Sequence, residues 1–221
     1  VERPASVIKE LLENSIDAGA GQVTVEIQNG GLTFMRVTDN GGGIADKQVP
    51  TAFLRHATSK ISTADDLNAI GTLGFRGEAL ASIAAVAKVE MITKTAESEL
   101  GCRAVVAGGE MIERYSTGCP NGTTILVREL FYNIPARLKF MKKDVSEGNA
   151  VAAVVQRLSL SHPEVSVRFL RDGKEVLFTP GNNKLYSAIY SVMGKDFAAD
   201  LTRVEYSMNN VSVGGFVTKP Y

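Results

Sequence analysis

Glu10, Glu13, Asn14 and Asp17 stand at i, i+3, i+4 and i+7. At about 100° per residue that spacing puts them on one helix face, opposite Val7, Ile8, Leu11, Leu12 and Ile16. A solvated helix face ordinarily pairs its acids with Lys or Arg four residues on. Here no cation follows at that spacing. Three carboxylates and an amide suit a hard cation such as Mg²⁺, with one carboxylate left to orient or deprotonate a water. A plain solvent-facing stripe has the same spacing, so the pattern alone leaves both readings open.

Two glycine-rich turns add to this. In DNGGGI, residues 39–44, a carboxylate leaves a strand end and enters backbone without side chains to hold a ligand off. Ionised Asp39 only accepts hydrogen bonds, so its natural partner is a donor such as the exocyclic amine of adenine. A turn closed by local Asp and Asn hydrogen bonds is the simpler alternative. Gly71, Gly74 and Gly77 lead directly into a helical pattern, and free N–H groups at such a turn favour phosphate, with Arg76 adding charge. The spacing fits neither the common phosphate loop nor the dinucleotide fingerprint. Other chemistries fail for lack of residues. The only histidines are His56 and His162, the only cysteines Cys102 and Cys119, and there is no G-x-S-x-G elbow.

Periodicity supplies the elements that position these groups. Residues 4–18 predict a helix ended by Gly19, and residues 22–28 and 32–38 predict a hairpin turning at Asn29-Gly30-Gly31. A short helix is expected over 47–56 and an Ala-rich one over 78–86. Strands are expected at 89–95, 102–107 and 123–127, helices at 136–143 and 145–161, and a second hairpin over 165–178. Residues 180–183 place four turn formers together and form the best candidate linker. Beyond them come a helix over 184–193 and strands at 201–207 and 211–219.

The 221 residues carry 24 Lys+Arg against 24 Asp+Glu, which excludes nucleic-acid binding by bulk charge. With 44% hydrophobic and 22% charged residues the composition is that of a folded globular chain. No apolar run approaches the roughly 20 residues needed to span a bilayer, and no secretory signal pattern opens the sequence. Two cysteines are too few for a disulfide framework, so a reducing compartment is expected. The zero net charge is itself a cancellation. Residues 1–120 hold 11 basic and 15 acidic side chains, residues 121–221 hold 13 and 9.

The stretches ELLENSIDAGA (10–20), DNGGGI (39–44), RHATSKI (55–61), GTLGFRGEAL (71–80) and FYNIPARLKF (131–140) occur in the order seen in the DNA mismatch repair MutL family. The first two alone resemble the wider GHKL ATPase superfamily; the third and last narrow the resemblance. It implies an α+β fold, a Bergerat-type two-layer α/β sandwich with a mixed, largely antiparallel sheet. Residues 1–182 would form this ATP-binding domain, and residues 183–221 the beginning of a second, ribosomal-protein-like α/β domain. By the same resemblance Glu10 is the general base for the attacking water and Asn14 the Mg²⁺ ligand. Asp17 and Ala18 line the nucleotide site, Asp39 reads adenine, and Gly43 and Ile44 lie beneath the base. Thr58, Ser59 and Lys60 approach the phosphates, Gly74, Phe75, Arg76, Gly77 and Leu80 belong to a closing lid, and Thr123 supports the Asp39 site. ATP and Mg²⁺ are the implied cofactors.

The implied partners are DNA, bound weakly and without sequence preference, a mismatch-recognition protein, a nuclease, a helicase and a second copy of the chain. No membrane is implied, and the implied location is the bacterial cytosol. The family's arm ahead of Val1 and its downstream phosphate-contacting lysine lie outside these residues, so nucleotide binding is expected to survive better than hydrolysis. The alternative is a DNA- or partner-binding scaffold with a hydrolysis-incompetent nucleotide site, for which Arg128, Arg137, Lys139, Lys142 and Lys143 are the basic cluster.

Overall fold

The computed structural model describes residues 1–54 and 78–218. Pro4 opens α1 (Pro4–Asp17), where its missing N–H is harmless because the first-turn donors have no intrahelical acceptor. The chain leaves the helix at Gly19, φ 73°, whose N–H closes on the Ile16 carbonyl at 2.9 Å. Val7, Ile8, Leu11 and Leu12 are buried, each contributing roughly 1.5–3 kcal/mol relative to an exposed position.

That apolar stripe lies on a sheet. β1 (Gln22–Gln28) and β2 (Phe34–Asp39) form the first hairpin. β3 (Lys88–Lys94), β4 (Gly101–Ala107), β5 (Glu110–Thr117) and β6 (Gly122–Arg128) come next, then β7 (Ser166–Arg171) and β8 (Lys174–Pro180). The eight strands pair in the order β5-β4-β3-β6-β2-β1-β7-β8. Every neighbouring pair is antiparallel except β1 with β7. One parallel pair requires a long crossover, which runs through the helical layer.

The short α2 (Val49–Ala52) precedes that layer's α3 (Ala79–Ala84), α4 (Pro135–Lys139) and α5 (Asp144–Ser161). α1 packs against both α3 and α5. Alternate strand residues, among them Val25, Ile27, Met35, Met91, Val127 and Phe169, form one core with Ile8, Ile83, Val151 and Val155 from the helices. The opposite sheet face is wet and charged. There Arg36 meets Glu26 at 2.5 Å, while Arg103 and Arg128 meet Glu90 at 2.7 and 2.9 Å. This is the two-layer α/β sandwich with a mixed, largely antiparallel sheet. After it, α6 (Leu185–Met193) and α7 (Lys195–Ala199) precede an antiparallel pair, β9 (Leu201–Met208) and β10 (Val211–Thr218).

Three expectations change. Residues 110–117 form a strand that the pattern did not announce, because an edge strand exposed on both faces has no apolar alternation. The five-residue α7 also went unread. Within the expected helix at 47–56, the described part is a 3₁₀ turn at Asp46–Gln48 followed by α2, with Pro50 inside its first turn. Among the described residues no helix is long and apolar enough to cross a membrane.

Candidate functional site

Strand register creates the site. Thr93 on β3 stands opposite Thr123 on β6, and Thr123 stands opposite Asp39 on β2, so three polar residues form a row across three adjacent strands. Asp39 Oδ1 accepts the backbone N–H of Gly41 at 2.9 Å and that of Thr123 at 3.2 Å. Its Oδ2 accepts the hydroxyl of Ser15, on α1, at 2.8 Å. An ionised carboxylate offers about four lone-pair positions. Three are filled by the protein, which leaves room for one further donor, and an exocyclic amine has the chemistry to fill it. Burial pushes the Asp39 carboxyl above its ordinary value, against the hydrogen bonds from Gly41, Ser15 and Thr123.

The glycine turn is pressed between α1 and β3. Gly42 N–H donates to the Ala18 carbonyl at 2.9 Å. A Cβ on Gly41 would sit 2.8 Å from that same oxygen, and one on Gly43, φ 70°, would collide with the Lys94 carbonyl. Ile44 N–H donates to the Thr93 hydroxyl at 2.8 Å. The backbone therefore lies where side chains cannot, forming a smooth floor beside Asp39 that suits a planar base. Asn40 Oδ1 accepts from Gly21 and Gln22, fixing the turn from the other side. Arg114 on β5 holds the next residues, donating to the Asp46 carboxylate at 2.6 Å and its carbonyl at 3.1 Å. The strand hardest to read in the sequence thus helps to position the loop.

On α1, Glu10, Asn14 and Asp17 are half-buried one turn apart and Ala18 is exposed at the helix end. Glu13 does not belong to an unpaired acidic face: it is buried and ion-paired to Lys9 at 2.8 Å. Its cation lies one turn upstream, at i−4 rather than i+4. Among the described residues no three His, Cys, Asp or Glu side chains gather as a metal cage. The side-chain oxygens of Glu10, Asn14 and Asp17 are of the kind that Mg²⁺ accepts, an ion that takes one or two protein oxygens and completes its shell with water and phosphate. Leu80, on α3, packs half-buried against the core, and Ile44 does the same from the loop. Thr58, Ser59, Lys60, Gly74, Phe75, Arg76 and Gly77 lie outside the described residues, as do Gly71, Arg55 and His56.

The sequence pattern did not single out Ser15, Thr93 or Gly122, whereas the turn-closing part of Asn40 was one of its two readings. Ser15 sits between two singled-out polar residues, but its inward side shows only once α1 is laid on the sheet. Gly122 must lack a side chain because a Cβ would collide with the Asp39 carbonyl. The basic cluster is divided. Arg128 is paired to Glu90, and Arg137 donates to the Val1 carbonyl at 3.0 Å and lies over the Phe131 ring at 5.6 Å. Lys139, Lys142 and Lys143 are exposed.

Residues 2–108 match the family described as histidine kinase-, DNA gyrase B-, and HSP90-like ATPase. Over 220 of its 221 residues, the sequence is 48% identical to the DNA mismatch repair protein MutL of Agathobacter rectalis and 48% identical to that of Pelotomaculum thermopropionicum. It covers 34% and 36% of those two proteins, so the chain spans about a third of their length. The MutL ATPase domain of Aquifex aeolicus complexed with ADP superposes with a TM-score of 0.81 at 28% identity, covering 100% of this chain and 78% of that one. The chain is thus similar over its whole length to the ATPase region of the DNA mismatch repair MutL proteins, and over residues 2–108 to the wider ATPase family.

Proposed function

We propose that this chain binds ATP beside Asp39 and, within the intact protein, hydrolyses it with Mg²⁺. The single observation that carries this reading is the Asp39 carboxylate, with three protein donors around it and a side-chain-free glycine floor next to it. A base bearing an exocyclic amine satisfies the remaining acceptor position. Glu10 lies two turns from the end of the same helix whose Ser15 holds Asp39, so one rigid element carries both base recognition and hydrolysis. Glu10 accepts the proton of the attacking water, and Asn14, a turn further on, supplies the protein oxygen for Mg²⁺. Mg²⁺, when bound, offsets the charge developing on the phosphates. Asp17, Ala18, Gly43, Ile44 and Thr123 border the nucleotide. Thr58, Ser59, Lys60, Gly74, Phe75, Arg76, Gly77 and Leu80 attend its phosphates.

In the whole protein, ATP-driven closure and association of two N-terminal regions couple mismatch recognition to a nuclease and a helicase. Lys139, Lys142 and Lys143 provide a local, sequence-independent contact to DNA phosphates. Residues 1–182 serve as the ATP-binding domain and residues 183–221 begin a second, ribosomal-protein-like α/β domain, in a cytoplasmic protein.

Calorimetric titration with ATP tests the site. Asp39→Asn is expected to abolish binding. Glu10→Ala in the full-length protein is expected to keep binding and lower turnover by about 10²–10⁴-fold. Equal loss of binding and turnover in Glu10→Ala contradicts the general-base role.

A further inference from the structure

Glu147, in the first turn of α5, is a carboxylate with no exposed surface. Such a group is costly to bury unless it is paired and its oxygens are filled. Here the pairing crosses the molecule: Arg3, the residue immediately ahead of α1, donates from Nε at 3.2 Å and from Nη2 at 2.9 Å. The Lys142 N–H adds a third donor at 3.2 Å. One side chain thus ties the start of α1 to the start of α5 and to the stretch that precedes it.

The β1–β2 turn is pressed into the same junction. A Cβ on Gly30 would lie 2.6 Å from the Asp144 carbonyl oxygen and one on Gly31 2.8 Å from the Pro4 Cβ, so the turn touches the first residue of both helices. Close packing alone would hold these elements together. A two-pronged ion pair adds direction, because the planar guanidinium fork meets a carboxylate in a fixed orientation. Apolar side chains of similar volume often give equal or greater stability, so what the pair supplies is geometry.

That geometry bears on α1, which is fastened at two points. Its downstream end is held at the base site, where the Ser15 hydroxyl donates to Asp39 at 2.8 Å and the Ala18 carbonyl accepts the Gly42 N–H at 2.9 Å. Its upstream end is held by Glu147. Glu10 lies between the two, seven residues after Arg3 and roughly 10 Å along the helix axis. We propose that Glu147, acting through Arg3, is a positioning residue for hydrolysis: it fixes the upstream half of α1 so that Glu10 meets the attacking water. Being fully buried, it touches neither the nucleotide nor that water itself. This rests on the nucleotide reading above, and it divides the helix into an end that sets ATP affinity and an end that sets turnover.

The test compares ATP turnover with equilibrium ATP binding in the full-length protein. Glu147→Gln keeps the shape but turns one acceptor into a donor facing the guanidinium. It is expected to lower kcat by about 10- to 10²-fold and to leave ATP affinity unchanged. The double variant Arg3→Met/Glu147→Leu, which exchanges the ion pair for apolar packing, is expected to recover the melting temperature but not kcat. A merely structural role would restore both together, and that result overturns the proposal. So does an unchanged kcat in folded Glu147→Gln, or a loss of ATP affinity as large as its loss of kcat. If Glu147→Gln fails to fold, the kcat of the double variant decides alone. Wild-type protein that binds no ATP overturns the nucleotide reading itself, and the proposal with it.

Discussion

A carboxylate with three donors around it is held by the fold for a purpose other than stability, since burial raises its pKa. Only at pH between the ordinary carboxyl value and the raised native one does native Asp39 keep a proton that the unfolded chain has already released. Its ionisation therefore lowers stability as pH rises through the window between the ordinary value and the raised native one. Asp39→Asn removes this contribution. The asparagine oxygen can accept from Gly41 and Thr123, and its amide can donate to Ser15, whose proton then goes to the Leu11 carbonyl at 3.1 Å. Denaturant midpoints across acidic pH are expected to show a wild-type slope that the variant lacks, with the variant no less stable near neutrality. Parallel profiles would count against a strained carboxylate. Nucleotide affinity in the wild type should fall in the same window as pH drops, because protonated Asp39 gives up an acceptor position.

At the scale of elements, the strands and helices that carry the site differ in how openly the sequence states them. α1 was legible because its apolar residues repeat at helical spacing between Pro4 and Gly19, and β1 and β2 because Val23, Val25 and Ile27 alternate toward a glycine turn. Asp39 could be singled out for the same reason: it ends a strand whose period is clear. β5 was not legible, since both its faces are exposed. Nor was the row Thr93–Thr123–Asp39, which joins residues 84 positions apart and exists only through register. The FYNIPARLKF stretch is a further case: its chemistry is invisible, but its packing is plain. Phe131 is fully buried at φ 66°, its N–H reaches the Val86 carbonyl at 2.7 Å, and Asn133 caps the Ala85 carbonyl at 2.9 Å, so the stretch anchors the end of α3. Phe131→Ala should cost about 3–5 kcal/mol in denaturant unfolding. A loss under about 1 kcal/mol would mean that the stretch is not part of the core. Gly43→Ala combines a left-handed φ with a collision against the Lys94 carbonyl, and is expected to weaken ATP binding more than Gly42→Ala, whose Cβ would meet only ordinary contact.

For the molecule as a whole, the neutral charge count hides a division between an acidic first part, with most of the residues proposed to bind nucleotide, and a basic second part. The structure sharpens it, because Arg128 and Arg137 are engaged within the fold while Lys139, Lys142 and Lys143 face solvent. Replacing these three lysines with alanine should reduce the slope of log affinity for duplex DNA against log salt by about 0.9 for each lost phosphate contact. An unchanged slope would move the DNA contact elsewhere. All of this depends on an adenine nucleotide occupying the space between α1, the glycine turn and β6. The most direct measurement is a crystal structure of the chain with a non-hydrolysable ATP analogue and Mg²⁺. The expected result is the adenine amine on Asp39, the base on the Gly43 floor, and Mg²⁺ at Asn14. Empty density beside Asp39 and Asn14 at saturating nucleotide, or a nucleotide bound elsewhere, would contradict the account.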